Sequence, residues 1–322
     1  MMDLVFVGHR CCDHSPSSGY DQVCSLFPEA GWLDGQAFEA GRLEWQREPQ
    51  DPASTPHRLF HVIYADCSGK ALPEILRERF PGARIVSSVH QPVSRLRADP
   101  SAIAALKASH AIITVSKIQR RELSDFGLAA PIYTVPHGVW TKAFRPTSAA
   151  PPWRRQNVLI VGSVLRDWEG ARQVVAMLAR AGVRSIALGA GARANLVSNG
   201  SQLEVRPRVS EAELVELYAQ SAALFLPFLE ATASNALLEA MAAGCPVICP
   251  RLPSLVEEYL DDDSDAYEAG RYDTAVSRLL HYVRNPSDRE AKSRALMKRA
   301  DEFDWARVKK CYASIYQENA VA

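Results

Sequence analysis

The stretch "ALFLPFLEATASNALLEAMAAGCPVICP", residues 223–250, predicts a strand, a helix and a second strand. Thr232, Ser234 and Asn235 are capping residues ahead of an Ala/Leu/Met run of high helix propensity, and Gly244 follows that run. The segment "CPVICP" after the glycine has the length and composition of a buried strand. Strand, helix and strand in this order are typical of a parallel sheet covered by helices.

Glu239 is the one carboxylate in this predicted helix. On a helix that packs against a sheet, a lone Glu ordinarily lies on the solvated face. Glu239 could instead have a functional role, and the rest of the sequence must decide between these two interpretations. The residues expected to pack inward are Leu237, Leu238, Met241 and Ala242.

The same alternation extends through the chain and predicts two α/β domains. Strand-length apolar runs in the first half are "DLVFVG", "RLFHVIYAD", "ARIVSSVH", "HAIITVS" and "PIYTVP", and those in the second half are "NVLIVGS", "SIALGAG", "LEVRPR", "ALFLPF" and "CPVICP". The segment "FRPTSAAPPWRRQ", residues 144–156, has three prolines and predicts a linker between domains 1–146 and 153–305. Two such domains place a cleft at the carboxyl ends of both sheets.

Composition excludes several classes of protein. The 322 residues include 37 Lys+Arg and 37 Asp+Glu, and this zero net charge argues against nucleic-acid binding and against a polybasic membrane anchor. No apolar run approaches the length of a membrane span. Seven cysteines, an odd number, fit a reducing compartment. We therefore expect a cytoplasmic protein without a signal peptide.

No metal site is expected. Cys11, Cys12, His14 and Cys24 lie close in sequence, but adjacent cysteines point apart and no paired CxxC motif is present. The run "DDDSD", residues 261–265, has D-x-D spacing but follows a predicted helix, and a solvated loop is the favoured interpretation.

In order and combination, several segments resemble glycosyltransferases of the GT-B fold, in particular family four. They are "NVLIVGS", "VRPRVSEAELVELYAQSAALFLPF", "NALLEAMAAGCPVI", "RALMKRADEFDWARVKKCYASIYQ", "TVPHGVWTKAFRP", "SVHQP" and "SSGYDQV". The resemblance implies two Rossmann-like, doubly wound parallel-sheet domains facing a cleft, with a last helix, 306–322, that returns to the first domain. It also implies retaining transfer of a hexosyl group from a UDP- or GDP-sugar, without a metal or other cofactor.

The resemblance gives Glu239 a role, because the second Glu of the family's E-x7-E pair bonds the ribose hydroxyls of the donor. A carboxylate can accept from two adjacent hydroxyls at once. The first Glu of the pair falls on Ala231, and Glu230 lies one position away. Either the loop bulges to present Glu230 as a catalytic carboxylate, or that carboxylate is absent.

The start of the same helix is the predicted diphosphate site. Unpaired amide groups and the helix dipole at an N-terminus favour an anion. Where the family has a glycine-rich turn, this chain has Thr232, Ser234, Asn235 and Ala236. Ser234 acting only as an N-cap is equally compatible with the pattern.

The segment "VGSVLRDWEG", residues 161–170, departs from the family pattern "GRLxxxKG". Ser163 and Glu169 hold the places of the Arg and Lys that neutralise the leaving diphosphate. Arg166 lies in the same loop and could replace them. The alternative is a surface arginine paired with Asp167 or Glu169.

In the first domain the resemblance points to Gly19 and His90, and position at a strand tip points to Asp66. Gly19 would let the backbone approach the donor phosphates, with Ser18 in the place of a second glycine. His90 follows a strand and would contact the donor sugar, and Asp66 at another strand tip would line the acceptor pocket. Alternatively, Gly19 is a simple turn and His90 is structural.

Other classes of function stay open. "LGAGARANL" has the GxGxxA spacing of NAD-dependent oxidoreductases, although Asn199 and Gly200 end the following helix early. Ser163, Glu169 and Ala231 suggest a non-catalytic nucleotide-sugar binding module. For an enzyme, the acceptor could be a sugar, a small molecule or a glycolipid met in a peripheral membrane encounter.

Overall fold

The computed structural model describes residues 4–9, 15–48, 58–146, 156–196 and 202–320. These residues form two compact α/β units, each with its own sheet. The first unit takes the described residues of Met1–His14, Gly19–Gly138 and Trp305–Ala322, and the second takes those of Ser15–Ser18 and Val139–Asp304.

The first unit has a seven-stranded sheet in the order β3-β2-β1-β4-β5-β6-β7. Only β3 runs antiparallel to its neighbour, so the sheet is essentially parallel. The strands are β1 Leu4–Gly8, β2 Gly31–Asp34, β3 Trp45–Arg47, β4 Leu59–Val62, β5 Arg84–Val89, β6 Ala111–Thr114 and β7 Ile132–Thr134. The helices are α1 Gly35–Glu39, α2 Leu72–Arg79, α3 Val93–Arg97, α4 Pro100–Ala108, α5 Lys117–Ser124 and α14 Trp305–Ala320.

The second unit has a six-stranded, entirely parallel sheet in the order β10-β9-β8-β11-β12-β13, the doubly wound order. The strands are β8 Asn157–Val161, β9 Ser185–Leu188, β10 Leu203–Arg206, β11 Ser221–Phe225, β12 Val247–Pro250 and β13 Ala266–Tyr267. The helices are α6 Thr141–Phe144, α7 Trp168–Arg180, α8 Ala190–Asn195, α9 Glu211–Gln220, α10 Asn235–Ala243, α11 Pro253–Leu255, α12 Tyr272–Arg284 and α13 Pro286–Ala300. The predicted fold class is confirmed.

The chain passes from the first unit to the second at Gly138 and Val139, ahead of the predicted linker. Val139 and Phe144 are fully buried in the core of the second unit, and the Val139 amide donates to the Phe303 carbonyl at 3.0 Å. This burial explains the early crossing, because both side chains need the second core. Residues 147–155 of the predicted linker lie outside the described residues.

The last helix belongs to the first unit, as the resemblance predicts. A buried chain of hydrogen bonds ties α14 to this sheet. His61 bonds the Tyr316 hydroxyl through Nδ1 and Ser88 Oγ through Nε2, both at 2.6 Å. Ser88 Oγ lies 2.7 Å from the Tyr20 hydroxyl, which in turn lies 2.5 Å from that of Tyr312. Burial, and then the nearby His90, lower the pKa of His61 to about 3.

The low pKa of His61 predicts a pH-dependent stability. The His61 imidazole binds a proton near pH 6.5 in the unfolded chain and only near pH 3 in the folded chain. The contribution of neutral His61 to stability is therefore fully present above pH 6.5 and is lost as the pH drops toward 3. We expect His61 to cost about 2 kcal/mol of unfolding free energy between about pH 7.5 and about pH 5. Urea unfolding of wild type and His61→Gln at both pH values measures this, and an equal pH dependence in the two proteins would contradict it.

The helices of the described part of the chain are short. The longest, α14, has 16 residues, whereas a membrane-spanning helix needs about 20 apolar ones. No described helix is both long and apolar enough to cross a bilayer.

Candidate active site

In the second unit two loops meet at the carboxyl ends of β8 and β11. The strand order reverses between these strands, and open α/β sheets bind ligands at such a point. The loops are joined by two hydrogen bonds, from the Asp167 amide to the Pro227 carbonyl at 2.7 Å and from the Leu229 amide to the Leu165 carbonyl at 2.9 Å. These backbone bonds hold the two loops, and the side chains that they carry, next to each other.

Arg166 lies in the first of these loops, and its guanidinium carbon is 3.9 Å from the ring centre of Phe228 in the second. Its Nη1 donates to the Val164 carbonyl at 2.7 Å and its Nη2 to the Val161 carbonyl at 3.2 Å. A Cβ at Gly162, where φ is +98°, would lie 2.2 Å from Nη2. The glycine thus leaves space for the guanidinium.

The charge of Arg166 has no carboxylate partner among the described residues. Asp167 instead accepts from the Gly170 amide at 2.9 Å and from the Tyr272 hydroxyl at 2.6 Å. Glu169 pairs with Arg172 at 2.5 Å. The predicted alternative, a surface ion pair of Arg166 with Asp167 or Glu169, is therefore wrong.

Burial lowers the pKa of Arg166 to about 10, so it remains a cation at neutral pH. Its Nε is buried and has no hydrogen-bond acceptor among the residues that the structure describes. Arg166 as a whole is half-buried, and a partly desolvated cation without a counter-charge is costly, so an anionic ligand would offset that cost.

Glu239 on α10 is 3% exposed, so the expectation of a solvated side chain is wrong. The reason is that eight of the nine residues of α10 are buried and the helix has no solvated face at this position. The Tyr218 hydroxyl donates to Glu239 Oε2 at 2.8 Å, and the Ser18 hydroxyl donates to Oε1. Both carboxylate oxygens therefore have protein partners.

Tyr218 connects the acidic and basic parts of this site. It is fully buried on α9, and burial together with the Glu239 charge raises the pKa of its hydroxyl well above the usual value. The Arg166 charge opposes that rise, so the two side chains interact. Arg166, Tyr218 and Glu239 form one cluster, which we call the acid–base cluster. Sequence reasoning missed Tyr218, although a tyrosine hydroxyl on the apolar face of "SEAELVELYAQ" needs a buried partner.

Ser234 is the N-cap of α10, and its Oγ accepts from the Leu237 amide at 3.2 Å. The amides of Asn235 and Ala236 have no acceptor within the described part of the chain, so they are available to an anion. Thr232, just before the cap, is buried. The capping and anion-binding interpretations of this helix start are therefore compatible.

Position 231, where the family has its first Glu, is an alanine in the loop before α10. The carbonyl of Ala231 accepts from Ser254 Oγ at 2.6 Å, which fixes the loop at that residue. Glu230 is half-buried one position earlier. Its catalytic role stays a prediction.

The glycine-rich turn "LGAGARANL" has a packing explanation. Ser163 Oγ accepts from the Gly191 amide at 3.0 Å, and a Cβ at Gly191 would lie 2.8 Å from the Ser163 Cα. The helix that follows, α8, spans only Ala190–Asn195. The turn thus packs against the loop after β8, and a dinucleotide site there finds no support.

In the first unit, Asp66 and His90 are brought together. Asp66 Oδ2 accepts from the amides of His90 and Gln91 at 2.6 and 2.5 Å, and its Oδ1 lies 3.7 Å from His90 Nδ1. The Asp66 side chain is fully buried, whereas that of His90 is 17% exposed. The His90 ring packs on Tyr20 and Tyr64, with centroid distances of 3.8 and 4.8 Å. Asp66 therefore supports the His90 turn through Oδ2, and its role toward an acceptor stays a prediction.

Gly19 has φ −57° and ψ 145°, a backbone conformation open to any residue. It precedes a 3₁₀ turn, Tyr20–Ser25, without a side-chain cap. The glycine is thus not required by backbone geometry, and its role toward phosphate stays a prediction.

The acidic loop 261–265 is neutralised by cations. Lys292 Nζ lies 2.6 Å from carboxylate oxygens of both Asp262 and Asp265, and Arg251 pairs with Asp263. Asp265 is buried and accepts from the Tyr282 hydroxyl, so the loop is less solvated than expected. Cys11, Cys12 and His14 lie outside the described residues.

Comparisons with known proteins agree with this architecture. Residues 155–281 match the family model described as Glycosyl transferases group 1. A D-inositol 3-phosphate glycosyltransferase from Acidothermus cellulolyticus is 26% identical, over 93% of this chain and 67% of that protein. Similar solved structures include sucrose-phosphate synthase from Thermosynechococcus elongatus, with a TM-score of 0.75, 14% identity and 99% coverage of each chain. Another is Anabaena HepE in complex with UDP, with a TM-score of 0.73, 12% identity and coverage of 98% of this chain and 100% of that one.

The two doubly wound units are those of the GT-B fold. The sequence matches and the fold support glycosyltransferase function, and they agree with the resemblance to GT-B glycosyltransferases, with which family four is consistent.

Proposed function

We propose that this protein transfers a hexosyl group from a nucleoside-diphosphate sugar to an acceptor hydroxyl, with retention of configuration and without a metal. The acid–base cluster beside the start of α10 carries this proposal. It combines a half-buried cation that lacks a carboxylate partner among the described residues with a buried carboxylate, and a nucleoside diphosphate offers a complementary anion and hydroxyl pair.

Within the proposed site, each part of the nucleotide has a suitable partner. Glu239 would accept from the ribose hydroxyls, and Tyr218 would hold its carboxylate in place. Arg166 and the free amides of Asn235 and Ala236 would bind the diphosphate. Two similar structures hold such ligands, since HepE is in complex with UDP and Arabidopsis starch synthase IV with ADP and acarbose.

In the proposed reaction the bond between the anomeric carbon and the diphosphate oxygen breaks, and a bond to the acceptor oxygen forms. The acceptor proton goes to a diphosphate oxygen, and attack on the same face retains the configuration. Catalysis would come mainly from stabilising the leaving diphosphate and from alignment of the acceptor. The contact of His90 with the donor sugar stays a prediction of the resemblance, and Asp66 and two aromatic rings fix the turn that carries His90.

A second candidate is a binding module without turnover. Its support is the loss of two cations, since Ser163 holds a turn amide and Glu169 pairs with Arg172. Arg166 is then the single cation of this loop at the proposed diphosphate site, within the described residues.

A donor panel separates the two candidates. The purified protein is incubated with UDP-, GDP- and ADP-sugars and with sugar or glycolipid acceptors, with and without EDTA. We expect nucleoside diphosphate release that is insensitive to EDTA, and a product whose anomeric configuration, measured by NMR, equals that of the donor. Binding without release supports the module, and inversion contradicts retention. Binding of none of these donors contradicts both candidates.

A further inference from the structure

A short segment from the start of the chain, Ser15–Ser18, folds as part of the second unit. The Ser17 amide and hydroxyl both donate to the Glu211 carboxylate, each at 2.8 Å. The Trp140 amide donates to the Ser17 carbonyl at 2.9 Å. Ser17 is therefore held by three hydrogen bonds, two to the first residue of α9 and one from Trp140.

The next residue, Ser18, is fully buried and donates its hydroxyl to Glu239 Oε1. Its amide donates to the Ser15 carbonyl at 3.2 Å, which closes the segment into a turn. An aliphatic hydroxyl thus lies against the same carboxylate that the proposed function assigns to the ribose.

We propose that Ser15–Ser18 is a built-in competitor of the donor, in which the Ser18 hydroxyl takes the place of a ribose hydroxyl on Glu239. Nucleotide binding then requires displacement of this segment. The inference rests on the proposed function, because it takes Glu239 as the ribose ligand.

A ribose hydroxyl can replace the Ser18 hydroxyl as a hydrogen-bond donor to Glu239. A ribose offers two vicinal hydroxyl donors, and each carboxylate oxygen has two lone pairs. Oε2 accepts from Tyr218 and Oε1 from Ser18, so departure of Ser18 makes Oε1 available to a ribose hydroxyl. The measured affinity is then the intrinsic affinity multiplied by the fraction of molecules in which the segment is open. Weakening the segment's other contacts must therefore tighten nucleotide binding.

The opposite change in nucleotide affinity is expected if Ser18 stays in place and itself binds the donor. In that case loosening the segment removes a ligand contact and weakens binding. The direction of the change in affinity therefore separates the two mechanisms.

Glu211→Ala tests the sign without changing either Ser18 or Glu239. Calorimetric titration with UDP and with GDP should give an affinity about three- to tenfold higher than wild type for the nucleotide that binds, since two hydrogen bonds of the closed segment are lost. Glu213→Ala is the matched control, because Glu213 lies in the same turn of α9 but pairs with Arg206 at 3.2 Å. It should bind like wild type.

Ser18→Ala removes the competing hydroxyl directly. We expect tighter binding of the ribonucleotide and unchanged binding of its 2′,3′-dideoxy analogue, which makes no demand on Glu239. Unchanged or weaker ribonucleotide binding in both Glu211→Ala and Ser18→Ala would overturn the inference.

Hydrogen exchange gives a readout that does not depend on affinity. The Ser17 and Ser18 amides are hydrogen-bonded in the closed segment, so their exchange should become faster when the nucleotide binds. Slower or unchanged exchange contradicts displacement. Failure of the proposed function looks different: wild type and all variants would then bind neither nucleotide, and both proposals fall.

Discussion

Replacement of Glu239 by Gln is expected to weaken nucleotide binding by at least about tenfold, the effect of losing a charge-assisted hydrogen bond. The carboxylate can accept from both ribose hydroxyls, whereas the amide keeps one acceptor oxygen and presents an NH₂ group to the other hydroxyl. Because Glu239 is 3% exposed, water cannot easily replace the lost contact. Calorimetry with the nucleoside diphosphate that binds wild type measures the change.

Two comparisons make this result specific. A 2′,3′-dideoxynucleotide should bind wild type and Glu239→Gln equally, because it lacks both hydroxyls. Tyr218→Phe should weaken binding of the ribonucleotide by a smaller factor, since it removes the bond to Oε2 and leaves the charge. Equal ribonucleotide affinity in Glu239→Gln and wild type would remove this residue from the site.

Arg166→Ala is expected to lower the turnover number by about 100- to 1,000-fold, the usual cost of losing one preorganised charge at a developing anion. The guanidinium is fixed by Phe228 and by two carbonyls, so it needs no rearrangement as the diphosphate leaves. Arg166→Lys should recover only part of the rate, because an ammonium cannot reproduce the planar stack on Phe228. Steady-state kinetics at saturating donor give the comparison.

Arg172→Ala provides the matched control, because the Arg172 guanidinium already pairs with Glu169 and both residues lie on α7, after the loop. It should retain the wild-type rate. If Arg166→Ala also turned over at that rate, the leaving diphosphate would have to be neutralised elsewhere, and Arg166 would be a structural residue of the loop.

Local sequence signals were sufficient for much of the fold. The run 230–248 predicted α10 with Ser234 as its cap and Gly244 at its end, and the structure has both. Of the two alternatives for Glu239, the solvated side chain was wrong, because helix periodicity assumes one solvated face and α10 has almost none. The crossing between the units also came earlier than composition predicted, because Val139 and Phe144 are needed in the second core.

The contacts of the candidate site could not be read from local patterns. Ser18 and Glu239 are 221 positions apart, and Tyr218 and Glu239 are 21 apart on separate helices. Such pairs are fixed by the packing of whole elements. The resemblance to family four located Glu239, but it gave no indication that a serine hydroxyl donates a hydrogen bond to this carboxylate.

The attachment of α14 decides how the two halves could be produced separately. A fragment that stops at Gly138 would leave the His61 ring and the Tyr20 hydroxyl without the α14 tyrosines that they bond, and would open the aromatic packing around Phe6 and Phe27 to water. A soluble version of this half would have to graft residues 305–320 onto its end. The other half would need residues 15–18 supplied in the same way.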